Sequence, residues 1–518
     1  MEKNTLIAVV ASTLFLILWW TFFQPTPKRA PVAGPPVTGG TAAPAAPQPS
    51  IGEMPQPEVA QTVTEREITV DGANYRAVFT TLGAGVKHWY IKEKNGTHID
   101  LVLAPNAQAL STYPNLNYTL VSQQPGELVF SASAQGLTIT KRYTLSENYL
   151  HSLQIQVTRT GQTAFNAPLE VAWDAGLGTD PREQAENLKL TRALGFPLQK
   201  PHELKKLKPG EYSAADFQWF AIDNRYFLLS FILAPQNAPQ TQFDRATVTK
   251  PAKNQPPHLA VTAALPATGT KTYSMQFYLG PKGYSHLKTL GLRLEETVDF
   301  GFFGFLGKLA LGAVNALYGV TKNYGWAIVL LTIGLQILVF PLSMKSFKAS
   351  IAMKKLQPHI KALQEKYKND PQRLNMEMLN LYKTQKVNPL GGCLPMILQL
   401  PIFWALFTTL RNAYELRGAP WILWVKDLSA PDTLLRIGSI PLNVLPLIMG
   451  VGMFFQQKLM SVTTDPAQAR MMYLMPVIFT FIFWNFPSGL VLYWLVNNIL
   501  TVSEQYLIMN RQEQAEVA

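Results

Sequence analysis

Hydrophobic positions along this chain follow two different periods. Between about residues 60 and 290, apolar residues alternate with polar ones: Tyr75, Ala77 and Phe79; Leu128, Phe130 and Ala132; Leu137 and Ile139; Leu153, Ile155 and Val157; Tyr273, Met275 and Phe277. Period-two runs broken by Gly, Pro and Asn predict a large antiparallel β-sandwich, with Gln135-Gly136 marking one turn. Elsewhere the apolar positions run together. Leu6–Phe23 carries no charge, and five more segments lack Asp, Glu, Lys and Arg: Tyr324–Met344, Gly391–Leu410, Ile437–Phe455, Met471–Phe486 and Leu490–Ser503. Runs of about 18–20 apolar residues span a bilayer, so six transmembrane helices are expected. Gly301–Tyr318 differs again. Phe302, Phe305, Leu306, Leu309, Ala313 and Leu317 fall on one side of a helix that Lys308 and Asn315 interrupt. That pattern predicts a helix lying in the interface; the rival, a further span, would invert the topology downstream.

The first apolar run competes with a cleaved signal peptide. Its n-region holds only Lys3, and it ends in bulky Trp19, Trp20, Phe22 and Phe23, where cleavage wants small residues. An uncleaved anchor is expected. Pro25–Glu58, rich in Pro, Ala and Gly, reads as an extended tether. The expected layout is an anchor (1–24), a Pro/Ala-rich linker (25–58), a β-domain (59–295), an interfacial helix (296–322), a five-helix core (323–510) holding a hairpin at 345–387, and a short tail (511–518). The fold class is thus a polytopic α-helical membrane protein with a large all-β sandwich domain outside the membrane.

Composition agrees with lipid as part of the solvent: 47% of the residues are hydrophobic and 15% charged, against about 25% charged in soluble proteins. A single cysteine, Cys393, excludes an intrachain disulfide and any C-x-x-C site. No two of the seven histidines have metal-ligand spacing, so no metal, cofactor or catalytic site is expected, and the β-domain reads as a binding or scaffolding unit. Gly304 and Gly307-Lys308 have the wrong spacing for a phosphate loop, and Leu309 stands where Ser or Thr is required.

Charge sets the topology. Residues 345–386 hold ten basic side chains against three acidic ones, a net +7. Lys and Arg beside spans stay in the cytoplasm, so an even number of spans leaves both termini there and the β-domain outside. Lys28 and Arg29 pull weakly the other way. The basic block reads as a helical hairpin. Phe347, Ile351, Ile360, Leu363 and Tyr367 form the apolar face of one arm, Leu374, Met378 and Leu381 that of the other. Asp370 caps the second arm and Pro371 takes its first position. Lys354, Lys355, Lys361, Lys366 and Arg373 are candidates for docking acidic lipid headgroups, ribosomal RNA or an emerging chain. The plainer alternative is a solvated face that only fixes topology.

Polar residues inside spans are costly and therefore informative. Thr332 and Gln336 share one helix face, Gln399 lies four residues before Phe403, and Asn497 and Thr501 share a face beside Asn498. Each alone is explained by interhelical hydrogen bonding; together they predict a shared wet groove, neutral in charge. Met471–Phe486 and Leu490–Ser503 are also short for spans, which would thin the bilayer beside it.

Several motifs carry a family resemblance. Asn388-Pro389-Leu390-Gly391-Gly392-Cys393-Leu394-Pro395, Gln399-Leu400-Pro401-Ile402-Phe403, Asp427-Leu428-Ser429, Met475-Pro476-Val477-Ile478-Phe479 and Phe486-Pro487-Ser488-Gly489-Leu490-Val491-Leu492-Tyr493-Trp494 resemble the YidC membrane insertases of Gram-negative bacteria. The resemblance spans the whole architecture, with its specific motifs in residues 324–505. It implies an inner-membrane insertase and chaperone that is not an enzyme, needs no nucleotide and has no DNA partner. Its groove, open to cytoplasm and lipid and closed outside, would receive a polar stretch of a nascent membrane protein, with Tyr493 and Trp494 joining the polar residues above. The implied partners are the Sec translocon, ribosome–nascent chain complexes and membrane lipids. The periplasmic domain is implied to be a β-supersandwich largely dispensable for insertion. Two positions depart from the family pattern. Gln336 stands where the family has a groove arginine. The end of the chain has one Arg, Arg511, against Glu513 and Glu516, instead of a basic tail. A transporter or channel with a fused binding domain is the rival class, yet the spans hold no charged residue. A sugar-binding protein would leave the helical core unexplained.

Overall fold

The computed structural model describes residues 65–517, apart from 105–108, 161–166, 182, 200–202, 235–240, 251, 253–254, 389–393, 439 and 461–465. The expected anchor and linker lie outside the described residues, as does much of the Asn388–Pro395 motif.

Alternation resolves into two nine-stranded antiparallel sheets. From edge to edge the first runs Glu67–Asp71, Tyr75–Thr80, Val86–Lys92, Ala109–Ser111, Leu169–Trp173, His258–Ala263, Arg245–Thr249 and Gly210–Ser213, with His98–Asp100 beside Val86–Lys92. The second runs Lys205–Lys206, Arg192–Pro197, Phe217–Asp223, Phe227–Ile232, Gly269–Pro281, Leu150–Arg159, Leu137–Thr144, Glu127–Ala134 and Thr119–Gln124. The residues picked out by period two are inward. Tyr75, Ala77 and Phe79 meet Phe130, Tyr143, Leu153, Ile155, Tyr273 and Phe277 in one aromatic-rich core. Gln135 and Gly136 both have positive φ, 49° and 76°, the two-residue turn whose twist suits a hairpin.

The second sheet is also covered on its other face. Leu194, Phe196, Trp219, Leu228, Ile232 and Tyr278 belong to a second core that continues into the helices through Leu294, Leu311, Val314, Leu406 and Leu416. Phe227–Ile232 is buried at every position for this reason. Such a run carries no alternation for a sequence reading to find.

Nine helices are described. Two are short, α1 (Gln184–Leu190) and α2 (Tyr284–Thr289). The rest are α3 (Gly304–Thr321), α4 (Tyr324–Lys366), α5 (Pro371–Thr384), α6 (Leu394–Asn412), α7 (Val444–Met460), α8 (Pro466–Phe483) and α9 (Ser488–Val517). Helix α3 covers the stretch expected to lie in the interface, starting three residues later, at Gly304. Phe302, just before it, and Phe305 and Leu309 on it are 96%, 81% and 62% exposed, while Leu311 and Val314 are buried against protein. The apolar side marked in the sequence is thus split: its first part faces outward, as an interfacial helix requires, while Leu306, Ala313 and Leu317 are half-buried, Leu317 against the second core.

By length and composition α4 is the one helix among the described residues that is long and apolar enough to cross a bilayer; Val444–Leu459 and Met471–Phe483 are shorter apolar helices. Ile337, Leu338, Val451, Phe455, Leu474 and Phe481 are exposed apolar side chains on these elements, a surface suited to lipid.

The structure corrects three expected boundaries. The segment starting at Ile437 is not helical at first: Thr433–Ile437 pairs with Ile440–Asn443 around Gly438, whose φ is 62°, and α7 begins at Val444. The two short apolar stretches lie in helices of 18 and 30 residues, so helix length gives no support to a thinned bilayer. Helix α4 runs unbroken from span to hairpin over 43 residues. The hairpin otherwise follows its expected pattern: Phe347 and Ile360 are buried, Leu363, Tyr367, Leu374, Met378 and Leu381 are half-buried, and the Asp370 carboxylate accepts the Arg373 N–H at 3.0 Å with Pro371 beginning α5.

Candidate functional site: a polar stripe inside the helical core

Among the buried residues of α4, Ile328, Thr332, Gln336, Val339, Ser343, Ser346 and Ser350 follow steps of three and four that keep one face. It begins apolar and turns polar toward the hairpin. On α9 the steps Tyr493, Asn497, Thr501 and Glu504 make the matching face. The two helices meet where the Gln336 side-chain N–H donates to a Glu504 carboxylate oxygen at 2.9 Å. Helix α6 joins from a third side: the Gln399 amide donates to the Tyr493 hydroxyl at 3.1 Å and to Asn497 Oδ1 at 3.2 Å. Three helices that are distant in sequence thus share one polar stripe.

The predicted residues divide among distinct settings. Gln399, Tyr493 and Asn497 form one hydrogen-bonded cluster, and Gln336 belongs to the pair with Glu504. Thr332 is buried, but its hydroxyl donates to the Ile328 carbonyl of its own helix at 2.7 Å, so that proton is not turned to the stripe. Thr501 is half-buried one turn beyond Asn497. Asn498 is 3% exposed with its amide nitrogen unpartnered, and its Cβ lies near Gly452 of α7, away from the Gln336 side. Phe403 and Trp494 are not part of the hydrogen-bonded cluster. Their rings meet edge to face at 4.8 Å, and Trp494 also lies 6.1 Å from Phe479 and 5.4 Å from Phe483. With Phe407 and Phe486 against the same group, these rings form an aromatic plug between α6, α8 and α9 near the start of α9.

Above that plug the chain is pinned by hydrogen bonds. Asp427 Oδ1 accepts from the Gly418 and Ser429 N–H groups and the Ser429 hydroxyl at 2.7–3.0 Å. Gly489 N–H reaches the Leu428 carbonyl and Ser488 N–H the Ala430 carbonyl. Asp432, 3% exposed, caps α7 by accepting from Val444 and Leu445 N–H. The Asp427-Leu428-Ser429 motif therefore ties the loop before α7 to the turn between α8 and α9.

The expectation of a neutral stripe is overturned by Glu504. It lies one residue past Ser503, the end of the uncharged run, and so falls outside the apolar segment. Its spacing of seven from Asn497 was the available signal, as was the spacing of seven from Gln336 to Ser343. At the other end of α4, Lys354, Lys355, Lys361 and Lys366, with Arg373 on α5, are all exposed. Lys366 and Arg373 flank the Tyr367 ring at 5.3 and 5.5 Å. Among the described residues no group of three or more His, Cys, Asp or Glu has the arrangement of a metal site.

A lipid-facing helical core with a buried polar stripe, fused to a two-sheet β-domain, defines a helical membrane protein with a β-rich domain. A family profile described as "60Kd inner membrane protein" matches residues 316–515, and one described as "YidC periplasmic domain" matches residues 92–310. The chain belongs to the YidC family of membrane protein insertases. A relative from Endomicrobium trichonymphae, named membrane protein insertase YidC, is 49% identical over 99% of this chain and 98% of its own. The same-named protein of Syntrophus aciditrophicus is 35% identical over 99% of this chain and 100% of its own. A solved structure titled an active YidC insertase with its first transmembrane domain resolved has 21% identity and a TM-score of 0.40, covering 85% of this chain and 92% of that one.

Proposed function

We propose that this chain inserts membrane proteins by receiving a polar client segment on the stripe formed by α4, α6 and α9. The observation that carries the reading is the joining of three helices by side-chain hydrogen bonds on one polar face, with an aromatic cluster packed beside it near the start of α9. Polar side chains there replace part of the water that a translocating segment gives up. The aromatic plug keeps that water from crossing the membrane.

In this reading the chain has six spans, with both termini in the cytoplasm and the β-domain in the periplasm. The domain layout is an anchor at 1–24, a linker at 25–58, a β-domain at 59–295, an interfacial helix at 296–322 and an insertase core at 323–510. Gln336, Gln399, Tyr493, Asn497 and Thr501 contact the client's polar stretch, with Thr332 and Asn498 supporting their helices and Phe403 and Trp494 forming the plug. The basic hairpin meets lipid headgroups or the ribosome, and the chain works alone or beside the Sec translocon.

The test is protease protection of a client offered to vesicles containing the purified full-length protein. Gln336→Ala is expected to keep substantial insertion, because it removes one hydrogen bond worth about 1 kcal/mol. Gln336→Leu combined with Asn497→Leu should lose more, by drying the α4 and α9 sides of the stripe together. Complete loss with Gln336→Ala alone would overturn a distributed polar surface, and no protection by the unaltered protein would overturn the function.

A further inference from the structure

We propose that a single carboxylate, Glu504, gives this groove a negative polarity and makes it favour clients whose translocated segment carries lysine or arginine. The inference rests on the insertase reading above and names its substrate preference.

The geometry is specific. Glu504 on α9 is half-buried and is held by the side-chain amide of Gln336 on α4, itself 8% exposed, at 2.9 Å. Among the described residues Glu504 has no ion-pair partner; its contact is a neutral amide. At 1.5 Å per residue, Gln336 lies about 18 Å along α4 from Tyr324, and Glu504 about 24 Å along α9 from Ser488. Both distances fall inside a hydrocarbon core about 30 Å thick.

A carboxylate at that depth is expensive to keep. An amide pair would tie α4 to α9 at a smaller desolvation cost, so joining the helices does not by itself account for an acid. The Gln336 amide aims the carboxylate without neutralising it. The neighbouring members of the stripe, Ser343 on α4 and Thr501 on α9, are neutral as well. An ammonium or guanidinium on a client segment supplies the missing charge, and its long aliphatic stem suits the apolar walls. A client carboxylate at the same place meets a like charge in a medium of reduced dielectric.

The experiment uses full-length protein in vesicles of fixed lipid composition with no membrane potential. Three clients share one apolar segment and differ in a translocated tail bearing two lysines, no charge or two glutamates. The readout is the ratio of basic to acidic client protected from protease by the same protein, so a general loss of activity cancels. The unaltered protein should favour the basic client by on the order of tenfold, the scale of one partly screened charge contact. Glu504→Gln retains an oxygen to accept from Gln336 and should bring the ratio close to one. Gln336→Arg pairs internally with Glu504 and should do the same. Equal ratios for the unaltered protein and Glu504→Gln, with the neutral client inserted, overturn this inference alone. Failure of the unaltered protein to insert the neutral client overturns the insertase reading and this inference with it.

Discussion

Lys141 is fully buried in the β-domain with no ion-pair partner among the described residues. Its ammonium donates to the Leu110 and Gly83 carbonyls and stands 5.3 Å from the centre of the Tyr143 ring. Burial holds its pKa well below the ordinary 10.5. The folded state therefore sheds this proton at lower pH than the unfolded chain, and stability rises with pH until about the unfolded value. Lys141→Met should raise the thermal midpoint of the detergent-solubilised chain at neutral pH, by roughly 1–2 kcal/mol of stability. The Tyr143 hydroxyl still serves the Leu110 carbonyl. The gain should shrink as pH approaches 10.5, and a lower midpoint at neutral pH would show that the ammonium is worth more than its burial costs. This position was legible by pattern and illegible by residue type: Leu137, Ile139, Lys141 and Tyr143 keep strict alternation, and the strand obeys the period over the charge.

At the scale of elements, hydropathy marked lipid contact and missed where helices end. The span was read as stopping at Met344 because Lys345 and Lys348 follow. Helix α4 continues because Lys, Ala, Met and Gln are good helix formers whatever the solvent. Conversely, the apolar stretch starting at Ile437 mimics a span, although Gly438-Ser439 between Ile437 and Ile440 is a turn signal. Caps were more reliable: Asp370-Pro371 placed the start of α5 to the residue, since both act locally. The two arms of the hairpin bury few residues between them, and their basic faces stay in water. Deleting Met353–Lys383 should lower client insertion several-fold while the protein remains folded and membrane-bound, read by protease protection beside a thermal melt. Undiminished insertion would leave the hairpin with only its effect on topology.

Across the whole molecule, the β-domain is seated on the helical core through the outer face of its second sheet. Arg417, after α6, donates to Glu93 and to Glu183 and lies 4.7 Å from the centre of the Tyr226 ring, and Arg411 pairs with Glu186. None of this was visible in the sequence, because the partners are more than 200 residues apart, and a charge pair gives no periodic signal. Orientation is tested by cysteine labelling in a background lacking Cys393. Val121→Cys, exposed on the β-domain, should react with an impermeant reagent from outside intact cells. Lys366→Cys should react only after permeabilisation. The reverse labelling would turn α3 into a span and place the basic hairpin outside.

Helix α4 has a mechanical consequence. Its 43 residues make a rod of roughly 64 Å, with the Gln336 contact on one part and the exposed lysines of the hairpin on the other. Pro341 lies between Gln336 and Ser343, where a missing backbone hydrogen bond lowers the resistance to bending. From there to Lys366 is about 37 Å, so a swing of about 15° moves the hairpin end by about 10 Å. The hairpin is thus a lever arm with its fulcrum beside the polar stripe. A load applied at Lys366 would reach Ser350, Ser346 and Ser343 through one continuous helix, with Pro358 as a second point of bending on the way.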